Sequence, residues 1–137
     1  MLTEKDYCDY DTCVALKELG YKVPTSAFYM PNGHFCFVSN PFRGGYVIDC
    51  FRSNNSYPKD VVTSIYIDAP TMWEAQKWLR EDKKLHIDCG YNPSLSWYYY
   101  HVWKGQEEIA EGEAFPTYED ALNTAIYMAT EILKEEK

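Results

Sequence analysis

Residues 85–91 alternate between apolar and polar side chains, which is the period of a β-strand with one buried face. A strand of this kind needs a second layer packed against one side of its sheet, and the neighbouring segments have helical patterns. The alternation therefore predicts an antiparallel sheet covered by helices. The apolar positions are Leu85, Ile87, Cys89 and Tyr91, and the polar positions are His86 and Asp88.

Three helices are predicted from capping residues and from apolar residues at helical spacing. The first covers residues 11–19, and either Asp9 or Asp11 can cap its N-terminus. The second follows Thr71, which forms a capping box with Glu74, and runs to about residue 83. The third begins after Thr117 and continues with an apolar stripe toward the end of the chain.

Extended segments separate these helices in two groups of three. Pro31-Asn32-Gly33 predicts a tight turn, and hence a hairpin, between the first two segments. The predicted class is α+β, with antiparallel sheets, three main helices and the order α-β-β-β-α-β-β-β-α. We expect a single domain over residues 1–137, with a subdivision near residues 53–69 as the alternative. The extended segments are residues 27–30, 34–39, 45–52, 85–91, 95–103 and 106–113.

The charge of the chain disfavours generic binding to polyanions. The formal net charge is −8, and the acidic residues concentrate toward both ends. Affinity for phosphate backbones and anionic membranes comes mostly from lysine and arginine, so neither partner is expected unless a local basic patch provides it. No apolar run approaches the roughly 18 residues that a membrane-spanning helix requires.

Cysteine usage and the N-terminal sequence predict a cytoplasmic protein. The five cysteines are odd in number and show no CxxC spacing, and the first residues lack the basic and apolar regions of a secretion signal. We therefore expect reduced thiols that pack as small buried side chains.

The segment 97–103 carries bulky side chains on both of its faces. If one face packs against helices and the other is open, the open rings would bind a nucleobase, a peptide or a copy of the same protein. The alternative is that both faces are covered and the rings serve only as core. The candidate binding face holds Trp97, Tyr99, His101 and Trp103, and the opposite face holds Tyr98, Tyr100 and Val102.

A basic and aromatic stripe on the second helix is a candidate phosphate contact. Its members recur at spacings of three and four residues, which places them on one side of a helix. The competing interpretation is that these cations complement the negative end of their own helix and are merely solvated. The stripe consists of Trp73, Lys77, Arg80 and Lys84.

Metal binding and catalysis have no complete motif. His34 with Cys36, and His86 with Asp88, could each supply two ligands from one strand face, but structural zinc needs four. We therefore predict no metal and no cofactor. No catalytic motif is present, and Arg43-Gly44-Gly45 offers at most a flexible anion-binding loop, so no catalytic residue is assigned.

Three segments resemble small uncharacterised proteins encoded by phages and prophages of gut bacteria. They are residues 11–21, residues 69–81 continued by Leu85-His86-Ile87, and Tyr118-Glu119-Asp120-Ala121-Leu122 with the helix that follows. The resemblance implies a phage or prophage accessory protein of unassigned role in the cytoplasm of a bacterial host. It carries over no catalytic or binding residue.

Residues 70–135 also look, in outline, like a double-stranded-RNA-binding domain. Such a domain needs lysines at the start of its last helix to contact phosphates, whereas Glu119 and Asp120 stand there. The electrostatics therefore argue against this role.

The expected function is a non-enzymatic binding or protein-interaction module, acting on a protein partner or on a second copy of itself. The alternatives are a nucleic-acid-handling protein that uses the basic helix stripe, and a small enzyme without a recognisable motif. A special case of the interaction module is an acidic surface that binds a basic partner. The alternative is that the acidic residues are only solvated surface charge. The acidic residues concerned are Glu107, Glu108, Glu111, Glu113, Glu119 and Asp120.

Overall fold

A computed structural model describes residues 2–37 and 66–136 of the chain. Within these ranges it contains three α-helices and two three-stranded antiparallel sheets, which confirms the predicted α+β class and element order. A short 3-10 helix, Glu4–Asp6, precedes them. In chain order the elements are α1 (Tyr10–Glu18), β1 (Ala27–Tyr29), β2 (Phe35–Phe37), β3 (Ile67–Asp68), α2 (Met72–Asp82), β4 (Leu85–Asn92), β5 (Trp97–Lys104), β6 (Glu107–Phe115) and α3 (Tyr118–Glu135).

The first sheet has the order β2-β1-β3 and contains the predicted hairpin. Gly33 has a φ of 87°, and the Asn32 side chain accepts a hydrogen bond from the His34 amide at 2.9 Å, as the turn chemistry requires. The two-residue strand β3 was not predicted. The predicted strand at residues 45–52 and the Arg43-Gly44-Gly45 loop lie outside the described residues.

The second sheet has the order β4-β5-β6, and its long strands pair almost end to end. β4 and β5 run in continuous register from Leu85 opposite Lys104 to Asn92 opposite Trp97. The pairing of β5 with β6 shifts register twice, between Tyr98 and Tyr100 and between Val102 and Trp103. Each shift is a β-bulge, which changes the side of the sheet to which the following residues point.

The predicted helix caps are confirmed. Thr71 and Glu74 exchange the two hydrogen bonds of a capping box, at 2.8 and 3.2 Å. Thr117 accepts from the Asp120 amide at 3.0 Å, and Asp9, rather than Asp11, caps α1. Each cap satisfies an amide that has no partner within the helix, so these residues define where the helices begin.

The three helices and one side of the second sheet enclose a common core. α3 lies across the sheet and buries Leu122 and Ile126 against Leu85, Tyr100 and Val102, all of them almost completely inaccessible. The same buried cluster continues through α1 and α2 into the first sheet. The helices therefore occupy one side of β4-β5-β6, and the side chains on the other side lie outside this core.

The cysteines correct one prediction. Cys8, Cys13 and Cys89 are free thiols, as expected, but Cys36 is disulfide-bonded. In the described part of the chain, no helix has both the length and the apolarity needed to cross a membrane.

Candidate functional site

The aromatic strand β5 has one covered face and one accessible face. Tyr100 and Val102 are 4% and 0% exposed, because they point toward the helices. Tyr98 is on the same side and is half-buried; its ring lies 4.9 Å from that of Tyr91. The four predicted binding residues, Trp97, Tyr99, His101 and Trp103, point the other way, and each is partly buried, as Tyr98 is.

We call this second side the open face of the sheet. Its positions follow from the strand register, since residues directly opposite each other point to the same side. None of the positions is a lysine or an arginine. The open face consists of His86, Asp88, Gly90 and Asn92 on β4, of Trp97, Tyr99, His101 and Trp103 on β5, and of Glu108, Glu111 and Glu113 on β6.

Three of the four rings on this face of β5, those of Tyr99, His101 and Trp103, contact each other in a row. The Tyr99 and His101 rings are 5.3 Å apart at 65°, and the His101 and Trp103 rings are 6.2 Å apart at 38°. Tilted contacts of this kind are favourable for aromatic pairs and restrict the rotamers of the residues involved. These contacts hold three neighbouring rings against each other, which favours a preorganised surface over freely rotating side chains.

A glycine on the neighbouring strand determines where the Tyr99 ring lies. Gly90 pairs directly with Tyr99, and a Cβ atom at Gly90 would overlap the Tyr99 hydroxyl. The phenol therefore lies across β4 in the space that any other residue would occupy. This placement shields the backbone of β4 and leaves a depression on the β6 side of the ring.

That depression is a groove of about 340 Å³. Its size is at the lower end of the range for small-ligand sites and suits one or two amino-acid side chains. Rings form one wall and carboxylates form the other. The lining residues are Asn92, Trp97, Tyr99, His101, Glu111, Gly112 and Glu113.

A cluster of titratable groups lies at one end of the ring row. His101 Nδ1 hydrogen-bonds to Glu108 and lies 4.0 Å from an oxygen of Glu111. One ligand atom from each of these three residues lies within 4.8 Å of the others, so they could hold a divalent metal ion. The two predicted ligand pairs, His34 with Cys36 and His86 with Asp88, do not take part in this cluster. Cys36 is disulfide-bonded, so it has no thiolate to offer a metal ion.

Sequence reasoning missed the meeting of Glu108 and Glu111 with His101. On a regular strand, residues three apart point to opposite sides of the sheet. The bulge that places Val102 opposite Ala110 but Trp103 opposite Glu108 adds Ile109 to β6 and brings both glutamates to the open face. No local sequence signal marks this bulge.

The predicted basic stripe is only partly assembled. Trp73 is 53% exposed, and Lys77 and Arg80 are exposed on the same side of α2. Lys84 lies beyond the end of the helix, where its ammonium donates to the Glu81 carbonyl at 2.8 Å. That contact matches the competing interpretation, in which a cation complements the helix C-terminus.

A small cavity beside α1 bears on the enzyme alternative. Its volume is about 250 Å³, and it is lined by Cys13, Lys17, Tyr21, Lys22, Tyr66 and Asp68. Burial raises the pKa of Cys13, and nearby acidic groups raise it further, so the thiol is protonated at neutral pH. A protonated thiol is a poor nucleophile, and the cavity therefore lacks the reactive group that a cysteine enzyme needs.

A larger cleft, of about 680 Å³, lies between the N-terminal segment and the start of α3. Its central polar groups are engaged with each other: the Asp9 amide donates to Asn123 Oδ1 at 3.0 Å, and Asn123 Nδ2 donates to an Asp9 carboxylate oxygen at 2.8 Å. These bonds tie α1 to α3. We assign the cleft a structural role.

Comparison with protein-family models, with curated proteins and with solved structures finds no match. The candidate site therefore rests on the geometry of this chain.

Proposed function

We propose that this protein is a non-enzymatic protein-interaction module that binds its partner through the open face of β4-β5-β6. The observation that carries this proposal is the set of partly exposed side chains on the side of the sheet opposite the helices, those of Trp97, Tyr99, His101 and Trp103. Aromatic residues are enriched at protein interfaces because they bury a large area with little loss of conformational entropy.

The contrast with the covered side supports the assignment. A chain that needed these rings only for stability would place them against helices, as it does with Tyr100. Instead, the accessible rings are ordered by contacts with one another and by the glycine opposite Tyr99. Ring contacts that order side chains still partly open to solvent are expected of a preorganised binding surface.

The proposed setting is the cytoplasm of a bacterial host that carries a phage or prophage. The resemblance of residues 11–21 and 69–81 to phage-encoded proteins motivates the phage origin. The free thiols of Cys8, Cys13 and Cys89 are in keeping with a reducing compartment, whereas the disulfide of Cys36 is an observation against it, since cytoplasmic disulfides are rare.

A displayed library of random peptides tests the proposal without knowledge of the natural partner. We expect the protein to enrich a peptide set whose binding is lost in Trp103→Ala and Tyr99→Ala. Trp73→Ala, which removes an exposed ring outside the open face, is the matched control and should retain binding. Sedimentation velocity of the same proteins tests self-association. The proposal fails if no peptide is enriched and the protein is monomeric, or if Trp73→Ala loses binding as fully as Trp103→Ala does.

A second candidate is nucleic-acid binding through α2. It is favoured by the exposure of Trp73, Lys77 and Arg80 on one helix face, and it is opposed by the exposed Glu81 and Asp82 next to them. This function predicts a salt-sensitive shift of labelled single or double strands that Lys77→Glu with Arg80→Glu abolishes. Absence of a shift at low salt would eliminate it.

A further inference from the structure

We propose that the open face binds an arginine-bearing segment of its partner, with a guanidinium group seated in the groove between Tyr99 and the glutamates of β6. This inference rests on the proposed function and names the chemistry of the partner. It rests on three observations: the charge of the open face, its aromatic rings, and the residues that line the groove.

The open face has only acidic formal charges apart from its two histidines. Asp88, Glu108, Glu111 and Glu113 carry carboxylates, and no described open-face residue is a lysine or an arginine that could neutralise them. The Glu111 side chain is 73% exposed, and its nearest recorded partner in the described residues is the His101 ring, at 4.0 Å. A cationic partner complements this surface.

The same charges argue against a second copy as the occupant. Two open faces meeting each other would bring eight carboxylates together, four from each copy, and like charges juxtaposed at an interface cost several kcal/mol. The occupant must therefore differ from the chain itself in charge.

The ring row selects the type of cation. A guanidinium is planar, stacks on aromatic faces and donates two parallel hydrogen bonds to a carboxylate. The groove offers an aromatic face and carboxylates within reach of one arginine side chain, since Trp97 and Tyr99 line it together with Glu111 and Glu113. The ammonium of a lysine also carries a positive charge and can lie over a ring, but it cannot donate two parallel hydrogen bonds to one carboxylate.

The experiment measures fluorescence anisotropy of labelled peptides at physiological ionic strength in the presence of EDTA. The probes are an alternating arginine–glycine peptide, its lysine–glycine analogue and its glutamate–glycine analogue. We expect the arginine peptide to bind more tightly than the lysine peptide and the glutamate peptide not to bind.

Two variants that preserve the fold test the location. Glu111→Gln combined with Glu113→Gln removes the carboxylates of the groove, and Tyr99→Leu removes its ring. Each should weaken binding of the arginine peptide by about tenfold or more. Glu81→Gln combined with Asp82→Asn removes the same net charge from exposed positions on α2 and should change binding less than about twofold.

Several results would overturn the assignment. Equal affinity for the arginine and lysine peptides, or equal losses in the groove variant and the α2 variant, would reduce the effect to nonspecific attraction by a protein of charge −8. Binding that requires Zn²⁺ and disappears in EDTA would assign His101, Glu108 and Glu111 to a metal ion instead. No binding at all would exclude an arginine ligand.

Failure of the arginine assignment can be distinguished from failure of the proposed function. If the display selection enriches peptides that depend on Trp103 but contain no excess of arginine, the open face is an interaction surface and only its partner chemistry is wrong. If it enriches nothing and no self-association is found, the interaction surface itself is wrong.

Discussion

The two faces of β5 both carry aromatic side chains but have different environments. Tyr99 and Tyr100 are neighbours on one strand, yet Tyr100 is buried beneath α3 and Tyr99 is partly exposed on the open face. Burial raises the pKa of Tyr100, because the phenolate would lose its hydration. The difference shows that the position of the helices, not the character of the residues, decides which rings stabilise the fold.

Each face also pairs a tyrosine with a glycine. Tyr100 covers Gly112 of β6 on the helix side, and Tyr99 covers Gly90 of β4 on the open side. The arrangement is similar, but the Tyr100 ring is enclosed by core residues while one side of the Tyr99 ring borders the groove. Substitutions at matched positions can therefore separate stability from recognition.

Tyr100→Ala should have the largest effect. It removes a buried ring from the core and leaves a cavity beneath α3, at a cost of about 3–5 kcal/mol in the free energy of unfolding. Urea denaturation followed by far-ultraviolet circular dichroism measures this loss. A loss below about 1 kcal/mol would mean that the ring is not part of a packed core.

Gly112→Ala should rank second, at about 2 kcal/mol, because the new Cβ atom overlaps a Tyr100 ring that has no space to move. Gly90→Ala is the matched control. Its Cβ atom meets the far end of Tyr99, which can turn toward solvent, so stability should fall by less than about 1 kcal/mol while peptide binding weakens. Equal destabilisation by the two variants would contradict the distinction between the faces.

Tyr99→Ala should lower the free energy of unfolding by about 1 kcal/mol, the upper end of the range for a cross-strand contact, here between the Tyr99 ring and Gly90. The same variant should abolish binding of the peptides selected in the display experiment. A loss comparable to that of Tyr100→Ala would place Tyr99 in the core and remove it from the binding surface.

Glu111→Gln should have the smallest effect on stability, less than about 0.5 kcal/mol, because its side chain is largely exposed. Its effect should appear in binding alone, measured by peptide anisotropy. A clear gain in stability would show that repulsion among the carboxylates of β6 strains the sheet.

The helix starts were predictable because their signals are local. Thr71 and Glu74 are three residues apart and satisfy each other, and Thr117 accepts a hydrogen bond from the amide of Asp120, also three residues away. Sequence alone contains both partners of such a contact. The hairpin around Asn32 and Gly33 was predictable for the same reason.

The elements that depend on distant partners were not predictable. β3 is two residues long and exists because it pairs with β1, almost forty positions earlier in the chain. The start of β5 differs for a local reason. This strand begins at Trp97, two residues later than expected, because the Asn92 side chain accepts hydrogen bonds from the Ser94 and Leu95 amides and holds both residues in the turn.

The candidate binding face was predicted as a set of residues, but the sequence did not indicate that it is the side left open by the helices. Alternation placed Trp97, Tyr99, His101 and Trp103 together, yet both faces of the strand are aromatic, so the pattern could not indicate which one the helices cover. The glutamates of β6 were recognised only as an acidic cluster. Their convergence on His101 depends on a bulge, which is a property of strand pairing.

The same bulges have a consequence for how this protein meets copies of itself. A foreign strand that extends a sheet needs an unbroken row of backbone amides and carbonyls along the outer edge. The register of β6 shifts twice, and Ala114 has a left-handed backbone conformation with φ of 71°. Several glutamates also lie along this edge strand. This margin is a poor template for polymerisation, so the protein can present a flat aromatic surface without growing into fibres from that edge.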